Sequence, residues 1–226
     1  MSDERAIQLL MTLRRQGLTD QRVLGAMERT PRGLFVDEPL AHLAWENTAL
    51  PIACGQTISQ PYVVAYMTQA LNLEPDMRVL ELGTGSGYQA AVLSPLCRRV
   101  YTIERHRPLL RQAEARFKAL KLDNIVTRHA DGLNGWAEQA PFDRIVLSAA
   151  VGEVPSILID QLKPGGMLIA PVGRVPILND FGLPESFSQR LERIIRTENG
   201  TEREPLLPVM FVPMVAGLPH DGEKRS

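Results

Sequence analysis

The sequence predicts an α/β fold built on a doubly wound, mostly parallel sheet. From Arg78 onward, short apolar runs alternate with amphipathic helical segments, the rhythm of strands joined by crossover helices. The chain has 226 residues, of which 44% are hydrophobic and 23% charged, enough to build one substantial core. We therefore expect a single domain over residues 1–226, divided into an N-terminal helical and loop arm (1–60), an α/β core (61–215) and a disordered tail (216–226).

The first third of the chain reads as helices followed by loops. Ile7, Leu10 and Leu13 share one helical face, and Thr19-Asp20 offers caps for a second helix that runs to Met27. The prolines and mixed periodicity of residues 34–60 predict short turns laid over a surface, as a lid or arm rather than as core.

The sheet is predicted from five apolar runs. They are RVLEL (78–82), RVYTI (99–103), NIVTR (124–128), RIVLS (144–148) and MLIAP (167–171). RLERIIR (190–196) and LLPVMFVPMV (206–215) are candidates for late strands near an edge, where prolines are tolerated. Ligands of such sheets bind beyond the carboxyl ends of the strands, so the residues after each run are the candidates for chemistry.

Charge and composition exclude several classes of partner. The net charge of −1 and the pI near 6.4 predict no broad positive electrostatic potential that would attract nucleic acid. The polar start of the chain is unlike a signal peptide and no apolar stretch is long enough to span a bilayer, so we expect a cytoplasmic protein without a membrane partner. Two cysteines build no disulfide framework, and four histidines without ligand spacing predict no metal site. The sequence does not fix the oligomeric state, for which a monomer is the working expectation.

A glycine-rich turn follows the first run of the sheet. In ELGTGSGY (81–88), Gly83, Gly85 and Gly87 permit a sharp turn and let a ligand approach the backbone, with Glu81 two residues ahead. A dinucleotide fingerprint requires a third glycine where this chain has Tyr88. Such turns also occur as plain structure in many α/β proteins, so the motif alone does not decide function.

Two further strand ends carry acids. Glu104 ends the second run, where a nucleotide-binding fold places the carboxylate that accepts ribose hydroxyls, and Asp131-Gly132 follows the third run. Three strand ends thus converge on one adenosine-shaped ligand. S-adenosylmethionine fits better than NAD, because it contains adenosine without a pyrophosphate.

The run GQTISQP (55–61) leaves the role of Ser59 open. Ser-Gln-Pro before the apolar segment YVVAYM is good capping chemistry for a helix that starts near Pro61. Ser59 could instead be a nucleophile, or could position a substrate.

Taken together, these residues resemble the protein-L-isoaspartate (D-aspartate) O-methyltransferases, a family of class I methyltransferases with a Rossmann-like fold. The matching stretches are ALPIACGQTISQP (49–61), VLELGTGSGYQAAVL (79–93), ADGLNGW (130–136), APFDRIVLSAA (140–150), QLKPGGMLIAPVG (161–173) and VMFVPM (209–214). The resemblance implies that S-adenosylmethionine donates a methyl group to the α-carboxylate of isoaspartyl residues in damaged proteins and peptides. The ester then closes to a succinimide, which starts protein repair.

The resemblance also implies roles for individual residues. Ser59 would sit between cofactor and acceptor as the catalytic positioning group, since an ionised carboxylate needs no general base. The implied cofactor-binding residues are Thr57, Ile58, Ser59, Glu81, Gly83, Gly85, Gly87, Glu104, Arg105, Asp131, Gly132 and Gln189. Gln189 stands for a glutamine that approaches the cofactor in relatives.

Two departures from the family pattern bear on the acceptor. Ala53-Cys54 replaces a glycine followed by histidine or an aromatic residue, and the segment 174–188 is longer than the turn common in bacterial relatives. They motivate an alternative function, methylation of another peptide or of a small-molecule acid. A protein that binds the cofactor without catalysis, and an NAD-dependent dehydrogenase, are the remaining alternatives.

Overall fold

A computed structural model describes residues 4–174 and 189–219 of the chain. The strands within these ranges are β1 (Leu50–Ile52), β2 (Gln56–Ile58), β3 (Arg78–Leu82), β4 (Arg99–Glu104), β5 (Ile125–His129), β6 (Phe142–Leu147), β7 (Leu162–Gly173), β8 (Gln189–Thr197) and β9 (Gly200–Val209). The helices are α1 (Glu4–Arg15), α2 (Gln21–Arg29), α3 (Pro61–Ala70), α4 (Tyr88–Leu93), α5 (Arg107–Ala119) and α6 (Ser156–Asp160).

Seven strands form the central sheet, in the order β5-β4-β3-β6-β7-β8-β9. The first five strands of that order are parallel, and β8 and β9 add an antiparallel edge. The chain winds outward from β3 to β5 and then returns to β6 on the other side of β3, so the order reverses beside β3. Parallel sheets of this kind bind ligands at that reversal, beyond the carboxyl ends of the strands.

Side chains of the sheet alternate between two apolar clusters. Leu80 and Leu82 of β3 pack in the same cluster as α6, while Val79 packs in a cluster to which α1 to α5 contribute. Burial on both faces explains why the central parallel strands β3, β4 and β6 are rich in apolar residues, whereas the edge strand β5 is only partly buried. The predicted doubly wound, mostly parallel fold is confirmed.

The last strand ends earlier than the sequence predicts. β9 stops at Val209, and the chain then crosses toward the carboxyl end of β6. There the N–H of Ala150 donates to the carbonyl of Val212, and the N–H of Met214 donates to the carbonyl of Ala150. The segment predicted as strand over 206–215 is therefore strand only in its first part, and its second part reaches the edge of the sheet where ligands bind.

Two N-terminal expectations need correction. In α1 the buried residues are Ala6, Leu9 and Leu13, whereas Ile7 is exposed. The segment 34–60 is not merely laid over a surface, because Phe35 is fully buried and belongs to the larger of the two apolar clusters, the one that contains Val79 and residues of α1 to α5. The second helix matches its prediction, since the Asp20 carboxylate caps it by accepting from the N–H groups of residues 22 and 23.

Candidate active site

A cavity of about 340 Å³ opens at the carboxyl ends of β3, β4 and β6. The chain reaches it from three regions: the segment after β1, the strand ends of the sheet, and the segment after β9. The described residues that line it are Gly55, Gln56, Thr57, Ile58, Ser59, Val64, Glu81, Gly83, Thr84, Gly85, Ser86, Tyr88, Gln89, Ile103, Glu104, Arg105, His106, Gly132, Ser148, Ala149, Val212, Pro213, Met214 and Val215.

The glycine-rich turn bends tightly around the end of β3. Gly83, Gly85 and Gly87 all have positive φ, at 94°, 53° and 91°, a conformation that other residues rarely adopt. Gly83 and Gly85 line the cavity, and their contact with a cofactor stays a prediction. Gly87 does not line the cavity. A Cβ at Gly87 would lie 2.8 Å from the ring of Phe117, so this glycine lets the turn pack against α5.

Glu104 is fixed by the same turn. The N–H of Gly85 donates to its Oε2 and the N–H of His106 to its Oε1, both at 2.8 Å. The side chain is 5% exposed and lines the cavity. Each carboxylate oxygen keeps a second lone pair, so the group can accept two further hydrogen bonds in a fixed orientation.

Glu81 lies deeper, on the larger apolar cluster's side of β3. Thr102 Oγ1 donates to its Oε2 at 2.6 Å, and Ser148 Oγ donates to its Oε1 at 3.3 Å. Burial raises the pKa of this carboxyl from 4.5 to about 8; the two hydroxyls oppose the rise, and the nearby Glu104 adds to it. A cationic ligand in the cavity would favour the ionised form of this acid.

Arg105 and Asp131, both predicted to bind the cofactor, each bond Gly217 of the C-terminal segment. Arg105 lines the cavity and donates from Nε to the carbonyl of Gly217 at 3.0 Å. Asp131 accepts from the N–H of Gly217 at 2.7 Å and from the N–H of Leu133 at 2.9 Å. Gly132, and not the Asp131 side chain, lines the cavity, so the structure places Asp131 as a tether of the chain beside the site.

Ser59 follows a short hairpin formed by β1 and β2, in which Leu50 pairs with Ile58. The helix cap of α3 is Gln60, with Pro61 as the first helical residue, so the interpretation of Ser59 as a cap is wrong. Among the described residues the Ser59 hydroxyl has no hydrogen-bond partner, and the residue lines the cavity together with Thr57 and Ile58. The hydroxyl is available to a ligand.

Gln189 is not at the cavity. It is fully buried, and its amide accepts from the N–H of Phe211 at 2.7 Å and donates to the Phe211 carbonyl at 3.2 Å. Gln189 is therefore not in contact with the cavity, because both polar atoms of its amide bond the backbone that follows β9. These two bonds fix Phe211, which directly precedes the cavity-lining residues 212–215.

The family model described as protein-L-isoaspartate(D-aspartate) O-methyltransferase matches residues 4–218. The chain belongs to this family. A protein of that name from Paramagnetospirillum magneticum is 56% identical over 220 residues, which cover 97% of this chain and 99% of the relative. The predicted recognition is confirmed.

Solved structures agree with this membership. One named protein-L-isoaspartate O-methyltransferase superposes with a TM-score of 0.79 at 27% identity; the match covers 94% of this chain and 66% of that one. A Plasmodium falciparum structure in complex with S-adenosyl-L-homocysteine, described as a candidate protein-L-isoaspartate O-methyltransferase, gives a TM-score of 0.75 at 28% identity over 92% of this chain and 97% of that one. The predictions of an S-adenosylmethionine-dependent methyltransferase and of its cofactor are thereby confirmed.

Several cavity residues of this methyltransferase were not assigned from the sequence. Ser148 and Ala149 directly follow β6, so the strand-end argument could have found them. His106, two residues after Glu104, also lines the cavity. The residues 212–215 carry no sequence signal beyond the matched VMFVPM stretch, since only the tertiary fold brings them to the site.

The described ranges contain neither a candidate metal site nor a candidate membrane-spanning helix. Within 4–174 and 189–219, no group of three or more histidine, cysteine or acidic side chains could hold a metal ion. No helix of these ranges is long and apolar enough to cross a membrane. Residues 175–188 of the predicted long loop and 220–226 of the predicted tail lie outside the described residues.

Proposed function

We propose that the protein transfers a methyl group from S-adenosylmethionine to the α-carboxylate of L-isoaspartyl residues in damaged proteins and peptides, which starts their repair through a succinimide. One observation carries the proposal. The glycine-rich turn with Glu104 and the hydroxyl-bearing segment with Ser59 line the same cavity, so a nucleoside site and an acceptor site adjoin. Family membership supports the choice of acceptor.

The charges around the cavity suit this cofactor. Glu81 and Glu104 both line it, and a pyrophosphate placed at the glycine turn would face two acidic groups. S-adenosylmethionine carries instead a sulfonium and an ammonium, which acidic groups attract. This argument, together with Tyr88 at the position of the third dinucleotide glycine, disfavours an NAD-dependent dehydrogenase.

Each group of the chain has a simple task in the reaction. Glu104 accepts hydrogen bonds from the ribose, and Gly83 and Gly85 leave room for the cofactor against the backbone. S-adenosylmethionine supplies, when bound, a sulfonium methyl group, and the transfer leaves a methyl ester on the acceptor and S-adenosylhomocysteine as product. The acceptor carboxylate is already ionised near neutral pH, because its usual pKa is about 4, so the chain need not supply a base.

Ser59 serves as a positioning group for the acceptor. Its hydroxyl can donate a hydrogen bond to the acceptor carboxylate and so hold one oxygen in line with the methyl group. Orientation of this kind can contribute roughly 7–11 kcal/mol to a reaction between two bound partners. Thr57 and Ile58 shape the wall beside it.

The decisive experiment compares two synthetic peptides that differ only in one isoaspartyl or one normal aspartyl linkage. Each is incubated with the enzyme and labelled S-adenosylmethionine, and base-labile methanol is counted. We expect label on the isoaspartyl peptide alone. Label on neither peptide, with S-adenosylhomocysteine still bound in a calorimeter, would refute the acceptor assignment, and an accompanying lack of transfer to any carboxylate would indicate a binding protein.

One structural observation favours a second candidate acceptor. Cys54 has a left-handed backbone, with φ of 58°, in the turn that leads into the cavity-lining residues Gly55 and Gln56. A non-glycine residue seldom adopts this conformation, so the border of the acceptor site is locally unusual. Esterification of another peptide or small-molecule acid, with no turnover of a panel of isoaspartyl peptides, would favour that function.

We also propose that the enzyme acts in the cytoplasm as a monomer on protein and peptide substrates, without nucleic acid or membrane partners. The near-neutral net charge of −1 supports the absence of a polyanionic partner. Light scattering after gel filtration tests the monomer, and fractionation of the cells tests the location.

A further inference from the structure

Arg32 is a fully buried arginine close to the acceptor side of the cavity. It lies in the short 3-10 helix Arg32–Phe35 and is 0% exposed. Burial lowers the pKa of its guanidinium to about 10, which leaves it charged at neutral pH. A buried cation is costly unless its surroundings compensate it, so its partners need an explanation.

Those partners are backbone carbonyls from two separate segments. Nη1 donates to the carbonyl of Ala44 at 2.8 Å, and Nη2 donates to the carbonyls of Thr48 at 2.8 Å and Ser59 at 3.1 Å. No carboxylate among the described residues pairs with this guanidinium, and its Nε is buried without a partner. The planar fork therefore joins residue 59 to the segment that precedes the hairpin.

The hydrogen bond from Arg32 to the Ser59 carbonyl fixes a residue that lies just outside the β1–β2 hairpin. Ile58 is the last residue paired in the β1–β2 hairpin, and Gln60 is anchored by its side-chain amide, which donates to the carbonyl of Asn47 at 2.8 Å. Ser59 stands between these two anchors, and Arg32 fixes its carbonyl. With the peptide held in this way, the remaining freedom of Ser59 is the rotation of a hydroxyl that lines the cavity.

We propose that Arg32 is a positioning residue for the methyl transfer, because its guanidinium fixes the backbone of Ser59 and thereby aims the Ser59 hydroxyl at the acceptor. The inference rests on the proposed function, in which Ser59 holds the acceptor carboxylate. Lysine cannot replace the arginine here, since an ammonium lacks the planar fork that reaches two segments at once. A misplacement of about 1 Å at a reacting site can cost on the order of 100-fold in rate.

The test substitutes Arg32→Lys and uses Arg144→Lys as the matched control. Arg144 is also a buried arginine, and it donates to the carbonyls of Leu71, Asn72 and Asp143. It lies near the amino end of β6, away from the cavity. Both variants should lose thermal stability, so stability alone does not distinguish the two arginines.

Turnover and cofactor binding distinguish them. We measure kcat on the isoaspartyl peptide per S-adenosylhomocysteine-binding site, so that unfolded molecules are not counted, together with the Kd of S-adenosylhomocysteine. Arg32→Lys should lower kcat about 10- to 100-fold with Kd changed less than about threefold, and Arg144→Lys should leave kcat per site unchanged. An equal loss of kcat in both variants, or a parallel loss of cofactor affinity in Arg32→Lys, would overturn the proposal.

A double-mutant cycle completes the test. Because Arg32 is proposed to act through the Ser59 hydroxyl, Arg32→Lys should cost less than about threefold in kcat when Ser59 is already alanine. A full additional loss in that background would mean that Arg32 does not act through Ser59. Failure of the proposed function is seen separately, as lack of isoaspartyl methylation by the unsubstituted enzyme.

Discussion

The Glu104→Gln substitution tests the cofactor site most directly. The carboxylate accepts one backbone N–H on each oxygen, from Gly85 and His106, both at 2.8 Å. A glutamine amide has only one acceptor oxygen, so in either orientation its NH2 group faces one of these two donors. One partly buried N–H then loses its partner, which should lower the free energy of unfolding by at most about 1–3 kcal/mol.

The effect on the cofactor is separate from this loss of stability. If the carboxylate accepts both ribose hydroxyls, glutamine removes one hydrogen bond to a charged group, worth about 1.5–3 kcal/mol. The Kd of S-adenosylhomocysteine should therefore rise about 10- to 150-fold, as measured by titration calorimetry at a temperature where both proteins are folded. Glu202→Gln, at an exposed residue of edge strand β9, is the matched control. A drop in melting temperature with an unchanged Kd would show that Glu104 only holds the glycine turn, and would refute the ribose assignment.

Three further predictions follow from the site. Ser59→Ala should lower kcat on the isoaspartyl peptide at least about tenfold while the Kd of S-adenosylhomocysteine changes little, because Ser59 contacts the acceptor; equal losses in both would contradict that role. The pKa of the Glu81 carboxyl is raised from 4.5 to about 8, so between these pH values Glu81 is ionised in the unfolded chain but protonated in the folded, ligand-free protein. The free energy of unfolding should therefore fall as pH rises through this range. Urea unfolding at several pH values should therefore show stability relative to Glu81→Gln falling by up to about 1.4 kcal/mol per pH unit, whereas parallel curves would mean that Glu81 is ionised throughout. Gly87→Ala should lower the melting temperature, because the new Cβ would lie 2.8 Å from the Phe117 ring at a φ of 91°, while Gly152→Ala, which meets nothing within 4 Å, should not.

The sheet could be predicted from the sequence because strands buried on both faces require runs of apolar residues, which are visible in the sequence. RVLEL matches β3 residue for residue, and the runs predicted for β4, β5 and β6 differ from the observed strands by one or two residues at their ends. MLIAP covers only part of β7, which begins five residues earlier and ends two residues later. The end of the late strand predicted over 206–215 could not be located from the sequence, because the apolar residues continue past Val209 into the cavity wall. Composition does not distinguish a residue buried in a sheet from one buried beside a ligand.

The site could be predicted in part, and the misplaced residues have a common cause. A strand-end rule places Asp131 at the correct edge, but it does not say whether the side chain turns to a ligand or to the backbone of Gly217. Gly87 belongs to the predicted motif, yet its small size serves the packing against Phe117. Spacing along the chain predicts proximity, whereas direction depends on tertiary contacts that leave no periodic signal.

Each of the three regions that form the cavity is held by a polar side chain that bonds the backbone of a different segment. Arg32 holds the carbonyl of Ser59, Glu104 holds the N–H of Gly85, and Gln189 holds both polar groups of Phe211. Backbone groups exist at every position, so the partner of such a side chain cannot be inferred from residue types. The residues that shape the cavity therefore include some, such as Gln189, that do not line it, and substitutions there should change turnover through geometry rather than through lost contact with a ligand.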